Sequence, residues 1–129
     1  VARKQSRASV VVVLSDLFDP SVELLPSLAR LVARRHEVNV LHVLDPAELD
    51  FPYENPATFQ SMEDPRKLFV HPRTLRPTYI EEMKRFVKEK EQRFGATGIH
   101  YNLVRTSEDP GKVIAAFLHA RQSRYRSGR

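Results

Sequence analysis

The chain has 129 residues, of which 41% are hydrophobic and 29% are charged, and it contains no cysteine. This composition is typical of one globular domain, and the lack of cysteine excludes disulfides and thiolate metal sites. No apolar run approaches the roughly 20 residues that cross a bilayer. We therefore expect a cytoplasmic protein without membrane segments.

The formal net charge is +5, but the positive charge is concentrated at the two ends of the sequence. Residues 1–8 contain three Lys or Arg residues and residues 121–129 contain four, whereas all 16 acidic residues lie between them. We predict basic tails at 1–8 and 121–129 around a folded body at 9–120. We interpret these tails as solvated ends, and nucleic-acid binding through them is the alternative.

The first predicted element is a strand over Val10–Leu14, which consists of four valines and a leucine. An apolar run without polar alternation is typical of a strand buried on both faces of a parallel sheet. Such a strand needs neighbours on both sides, yet it begins near the start of a chain that has no initial Met. We therefore expect the chain to be the later part of a larger domain.

A helix and a second buried strand are predicted next. Asp19 and Pro20 have the character of a helix N-cap and first helical residue, and leucines at helical spacing follow them. Pro26 is unfavourable there, because proline past the first turn removes a backbone hydrogen bond. The strand Glu37–Leu44 then ends on a second Asp-Pro pair that begins at Asp45.

The remaining elements are a hairpin, two helices and a third strand. Residues 57–72 flank the turn Asp64-Pro65-Arg66 and predict a hairpin added to the main sheet. Pro77 is expected to begin the longest helix, Ile99–Arg105 forms the third strand, and Asp109-Pro110 caps the last helix.

This order predicts an α/β fold with three layers, in which a mainly parallel sheet has helices on both faces. Right-handed crossovers place the three strands side by side, as in part of a von Willebrand type A-like or Rossmann-like fold. The outer edge of the first strand is then unpaired, which is an aggregation hazard. We expect this edge to be hidden by self-association, or to be covered by a partner chain or by missing strands.

The candidate site lies beyond the ends of the strands, where ligand sites of parallel sheets form. Ser15 and Asp16 follow the first strand directly, and Asp19 and Asp45 are neighbours that strand spacing allows to approach. Hard oxygen ligands of this kind suit Mg²⁺. Because Asp19 and Asp45 precede proline, both are most simply helix or turn caps. Within the second strand, His42 is interpreted as a hydrogen-bonded core residue.

Three segments carry a resemblance to a known family: Val-Val-Leu-Ser-Asp-Leu-Phe-Asp at 12–19, the segment from His36 to Tyr53, and Val-His-Pro-Arg at 70–73. Together they closely resemble the C-terminal part of the Domain of Unknown Function 58 (DUF58) family. The most specific piece is Leu41–Tyr53, which has no generic structural reason to recur. The resemblance covers nearly the whole chain.

Members of that family look like von Willebrand factor type A domains, which carry a metal-ion-dependent adhesion site at the top of a doubly wound sheet. Ser15 and Asp16 match the last of that site's three motifs, with Leu17 where a glycine commonly follows. The first two motifs, including Asp-x-Ser-x-Ser, do not occur in this sequence. The resemblance thus implies Mg²⁺ in the full-length domain and no cofactor in this chain alone.

The expected function is a non-enzymatic protein-interaction or assembly module. The resemblance implies a partner of the MoxR-type AAA+ ATPases, which are often encoded beside family members. A Mg²⁺-dependent phosphoryl-transfer enzyme is the other alternative, because such folds also place an Asp after the first parallel strand. That chemistry usually needs a Lys at a later strand end, and the third strand ends at Arg105 and Thr106 instead.

Overall fold

The structure is a computed structural model that describes residues 7–19, 23–52, 57–60, 67–70 and 72–128. Strands and helices alternate along the chain, as the sequence pattern predicts. The elements in chain order are β1 (Val10–Ser15), α1 (Leu24–Ala33), β2 (Glu37–Leu44), α2 (Pro46–Asp50), β3 (Ala57–Gln60), β4 (Lys67–Val70), α3 (Pro72–Ala96), β5 (His100–Arg105) and α4 (Pro110–Ser127).

The main sheet has three parallel strands in the order β1-β2-β5, so β2 is central. Ser15 of β1 pairs with His42 of β2, and Leu44 of β2 pairs with Arg105 of β5. The carboxyl ends of all three strands therefore meet at one edge of the sheet. This confirms the predicted α/β fold with a parallel sheet of three strands.

The hydrophobic core lies on the face of the sheet that carries Val38 and Val40 of β2. Both valines are fully buried, and they pack with Leu28 of α1, Phe94 of α3 and Ile99. Successive side chains of a strand point to opposite faces, so His42 belongs to this same face. Two helices thus cover one face of the sheet and enclose the histidine.

On the opposite face, polar side chains attach α4 to β2. Arg121 donates from Nε to both carboxylate oxygens of Glu37, at 3.1 and 3.0 Å, and the hydroxyl of Tyr125 donates to the same carboxylate at 2.8 Å. Arg124 donates to Asn39 Oδ1 at 3.2 Å. Residues 121–127 are consequently the last turns of α4, and the prediction of a solvated tail at 121–129 is wrong for them.

Two helices, α1 and α3, begin at residues other than those predicted. The described part of α1 begins at Leu24 with Glu23 as its N-cap, so Asp19 does not cap it. Pro26 then falls within the first turn, where a missing N–H costs nothing because those groups have no partner inside the helix. In contrast, α3 begins at Pro72 and carries Pro77 in its interior. The prediction that Pro77 begins this helix is wrong.

The hairpin forms, but it is separate from the main sheet. β3 and β4 pair antiparallel, from Ala57 opposite Val70 to Gln60 opposite Lys67, as a two-stranded sheet of their own. The expectation of a hairpin added to the main sheet is therefore wrong. The predicted turn Asp64-Pro65-Arg66 and residues 1–6 of the basic N-terminal tail lie outside the described residues.

β1 is at the edge of the three-stranded sheet and is less covered than its composition predicts. Val11 and Val13 are half-buried against the core, whereas Val10, Val12 and Leu14 are 43%, 38% and 67% exposed. One face of the strand is thus open, contrary to the expectation of burial on both faces. Separately, no helix among the described residues has the length and apolarity needed to span a membrane.

Candidate functional site

The loop after β1 is shaped by its own side chains. Ser15 Oγ accepts a hydrogen bond from the N–H of Leu17 at 3.0 Å, and Asp16 Oδ1 accepts one from the N–H of Phe18 at 3.1 Å. Leu17 has a φ of 58°, in the left-handed region that favours glycine. The two side-chain bonds hold the backbone in this turn, and the Asp16 side chain remains at the surface.

His42 of β2 contacts the backbone of the same loop from its buried side. Its side chain is fully buried, with Nε2 2.8 Å from the carbonyl oxygen of Asp16 and Nδ1 2.6 Å from the hydroxyl of Tyr101. A carbonyl can only accept, so Nε2 carries the proton and Nδ1 accepts from the tyrosine. Burial lowers the pKa of His42, while the bond to the Asp16 carbonyl opposes this shift. The imidazole is therefore neutral and fixed in one tautomer.

Burial also governs the ionisation of Tyr101. It raises the pKa of the phenol to about 12, so the hydroxyl keeps its proton and remains the donor to His42. The alternation of β5 places Tyr101 on the core face beside His42, and their rings meet edge to face. A protonated phenol, a neutral imidazole and a backbone carbonyl thus form one chain of hydrogen bonds.

An apolar cavity of about 590 Å³ borders this loop. Phe18 stacks on Phe86 of α3 with the ring centroids 5.3 Å apart, and Lys90 Nζ lies 5.1 Å from the centroid of Phe86. The lining combines side chains from β1, its loop, α1 and α3, among them Val13, Leu17, Phe18, Leu24, Lys90 and Phe94. One side of the loop therefore borders a hydrophobic cleft, whose charged lining residues are Lys90 and Arg93 of α3 together with Asp19 and Glu23.

Asp45, the second predicted carboxylate, acts as a cap. Its Oδ1 accepts from the N–H of Ala47 at 2.8 Å, while the N–H of Asp45 donates to Glu48 Oε2 at 2.7 Å, which completes a capping box for α2. Oδ2 accepts from the hydroxyl of Thr106 at 2.8 Å. The bonds from Ala47 and Thr106 lower the pKa of Asp45. This confirms the capping interpretation of Asp45.

The four predicted site residues are not brought together as a cluster. Asp45 accepts a hydrogen bond from Thr106 after β5, whereas Asp16 accepts one within the loop after β1. Asp19 is exposed and borders the hydrophobic cleft. In the part of the chain that is described, no group of three His, Cys, Asp or Glu residues is placed to hold a metal.

A Mg²⁺ ion requires an octahedral shell of oxygens, of which one or two are usually carboxylates. Ser15 and Asp16 offer one hydroxyl and one carboxylate, and one oxygen of that carboxylate already accepts from Phe18. This pair fits one side of such a shell. It does not by itself fit a complete site.

The sequence indicated Ser15, Asp16 and the buried role of His42, but not the partners of these residues. The alternation of Ile99, Tyr101 and Leu103 is a signal that places Tyr101 on the apolar face of its own strand, and the pairing of β5 with β2 then brings it to His42. No sequence pattern indicated a role for Thr106, because only the pairing of β2 with β5 brings it to Asp45. The contacts between strands were therefore the part that pattern analysis missed.

Comparison with protein families matches residues 1–90 to the family described as Protein of unknown function DUF58. The chain belongs to this family. The match includes β1, the loop with Asp16, and β2 with His42, and it ends within α3, so β5 and α4 lie outside it. The comparisons with curated proteins and with solved structures give no match.

Proposed function

We propose that this DUF58 chain is a non-enzymatic protein-interaction module of the von Willebrand type A kind, whose contact surface is the loop from Ser15 to Phe18. The observation that carries the proposal is the buried hydrogen bond from His42 to the Asp16 carbonyl. It fixes the backbone of an exposed carboxylate at the edge where parallel sheets bind ligands. A rigid, solvent-facing carboxylate suits recognition of a partner.

The proposal includes metal-dependent binding in a full-length family member. Ser15 and Asp16 would supply one side of a Mg²⁺ shell there, and other motifs of the domain would supply the rest. The metal would join the module to an acidic group of the partner. Leu17 already adopts the left-handed conformation that a glycine at this position would adopt, which supports the same loop shape.

As partner we propose a MoxR-type AAA+ ATPase, and as compartment the cytoplasm, where such an ATPase finds its nucleotide. Two observations support a protein partner over nucleic acid. Arg121 and Arg124 are both engaged with β2 through Glu37 and Asn39, so their charge is not available as a mobile arm. The cleft beside the loop is mainly apolar.

The test is binding of the purified chain to a purified MoxR-type ATPase, measured by biolayer interferometry in the presence of Mg²⁺. We expect Asp16→Asn to weaken binding at least about tenfold, a loss of roughly 1.4 kcal/mol. Asp50→Asn is the matched control, because it removes another exposed carboxylate, at the end of α2. Equal binding by Asp16→Asn and Asp50→Asn would show that the loop is not the contact surface, and no binding by the unaltered chain would show that these 129 residues do not suffice to hold this partner.

A further inference from the structure

The outer edge of β1 is a self-complementary surface. β1 pairs with β2 on one side only within the described residues, and its six residues contain no charge, proline or glycine. Natural proteins often protect an exposed edge strand with charged residues or proline, and β1 has neither. Among the described residues no strand pairs with this outer edge, so its backbone donors and acceptors are open to pairing.

We propose that two copies of this chain pair through β1 in an antiparallel arrangement centred on Val12, which makes a continuous sheet of six strands. In this register Val12 lies opposite Val12 of the second copy, and Leu14 lies opposite Val10 of the second copy. A two-fold axis through Val12 keeps the same face of the sheet on the same side in both copies. This interface uses the outer edge of β1, and its ends lie next to Asp16 of the loop that is proposed above as the contact surface.

The exposure of β1 favours this register. Val10, Val12 and Leu14 are the exposed residues of the strand, and all three point to the face opposite the core. Pairing about Val12 places these apolar side chains beside their counterparts, as cross-strand neighbours about 5 Å apart. A two-fold axis at Val11 would place Leu14 opposite Ala8 of the second copy, and one at Val13 would place Val10 opposite Asp16, so either alternative loses an apolar pair.

Charge along the strand favours the antiparallel direction. Arg7 precedes β1 and Asp16 follows it, and both side chains are exposed. In the antiparallel pair, Asp16 lies opposite residue 8 of the second copy and so lies next to its Arg7. A parallel pair would place Arg7 beside Arg7 and Asp16 beside Asp16. Unlike charges thus meet at both ends of the antiparallel interface and like charges at both ends of the parallel one.

The chain has no cysteine, so single cysteine variants give a direct test of pairing and direction. We expect Val12→Cys to form a disulfide-linked dimer under mild oxidation, because the two thiols are directly opposite each other. Val10→Cys alone should remain monomeric on a non-reducing gel, since the two thiols would be four residues, roughly 13 Å, apart along the strand. An equimolar mixture of Val10→Cys and Leu14→Cys should give a mixed dimer.

Other results would overturn the proposal in distinguishable ways. A disulfide dimer of Val10→Cys would mean parallel pairing. Equal cross-linking by Ala115→Cys, an exposed position on α4, would mean random collision. Sedimentation of the unaltered chain as a monomer at every concentration would exclude a second copy as the occupant of this edge.

A lysine in the strand is the final control. Val12→Lys and Leu14→Lys place a charge on the exposed face of β1, where the monomer tolerates it, and both should shift sedimentation to the monomer. Circular dichroism checks that each variant is folded. If both variants are folded and still dimeric, the interface lies elsewhere.

Discussion

His42 Nε2 lies 2.8 Å from the carbonyl oxygen of Asp16, so a buried side chain on the central strand fixes the exposed loop of its neighbour. Tyr101 on the third strand completes the link with a 2.6 Å bond to the other ring nitrogen. All three strands are thereby joined through one imidazole. The shape of the candidate contact loop depends on a residue that never reaches solvent.

We expect Tyr101→Phe to lower the free energy of unfolding by about 1–3 kcal/mol, because it leaves Nδ1 of His42 buried without a donor. His42→Phe should cost more, since it removes the partners of both Tyr101 and the Asp16 carbonyl. The double variant should cost less than the two single costs combined. Urea denaturation of the three variants measures these values, and simple additivity would contradict the proposed chain of hydrogen bonds.

Stability should fall as the pH drops below the ordinary pKa of histidine. Burial lowers the pKa of His42 from 6.5 in the folded state, so the unfolded chain binds this proton more readily. The contribution of the neutral imidazole is therefore complete above pH 6.5 and is lost progressively below it. Denaturation between about pH 8 and about pH 5 checks this. In His42→Phe the free energy of unfolding should depend less steeply on pH. Burial and the charge of Arg124 also lower the pKa of His100, and this residue should account for pH dependence that remains.

Leu17 offers a test of backbone strain. Its side chain packs against the core, but its φ of 58° is unfavourable for any residue with a Cβ. We expect Leu17→Gly to be more stable than Leu17→Ala by about 1 kcal/mol, although glycine removes one more carbon. Thermal unfolding of the two variants decides this. If alanine is the more stable substitution, the left-handed conformation of the loop is wrong.

The attachment of α4 should depend on Glu37. Although burial opposes it, hydrogen bonds from Tyr125, Asn39 and Arg121 lower the pKa of this carboxyl group. We expect Glu37→Gln to destabilise the protein by about 1.5 kcal/mol, as expected for charged hydrogen bonds, and to speed amide exchange in the last turns of α4. Glu82→Gln is the matched control, because its bond to Arg85 is largely exposed and should contribute little.

Mg²⁺ should bind this chain no more tightly than about millimolar. Ser15 and Asp16 supply only part of an oxygen shell, and both oxygens of Asp45 already accept hydrogen bonds from Ala47 and Thr106. Calorimetric titration with Mg²⁺ and Mn²⁺ measures the affinity, with Asp16→Ala as the control. A micromolar site that Asp16→Ala abolishes would mean that the chain holds a complete metal centre, and would favour the phosphoryl-transfer alternative.

The elements that the sequence predicted well are those with strong local patterns. The valine run of β1, the apolar β2 and the Asp-Pro cap of α4 each depend on neighbours in sequence, and each was predicted in the right place. Helix starts were less predictable, because Pro26 is compatible with a first turn and Pro77 is tolerated inside α3. Proline restricts a helix without fixing its first residue.

In the candidate site, too, the features with a local sequence pattern were predicted and those that depend on distant residues were not. Asp16 was recognised because it ends an apolar run, which is a local signal. Its support by His42 and Tyr101 requires the register of three strands, and no single segment encodes that register. The interpretation of a tail was wrong for residues 121–127 for a related reason. Arg121 and Arg124 look solvated in the sequence until the fold brings Glu37 and Asn39 to them.

The bond between Arg121 and Glu37 also bears on the order in which the protein folds during synthesis. The two residues are 84 positions apart, and Arg121 leaves the ribosome long after β2 has been made. Until then the face of β2 that includes Leu41 and Glu37 has no helix to cover it. Ribosomes add about 5–20 residues per second, so the nascent sheet exposes an apolar surface for several seconds. Binding by a chaperone would be most useful during this interval.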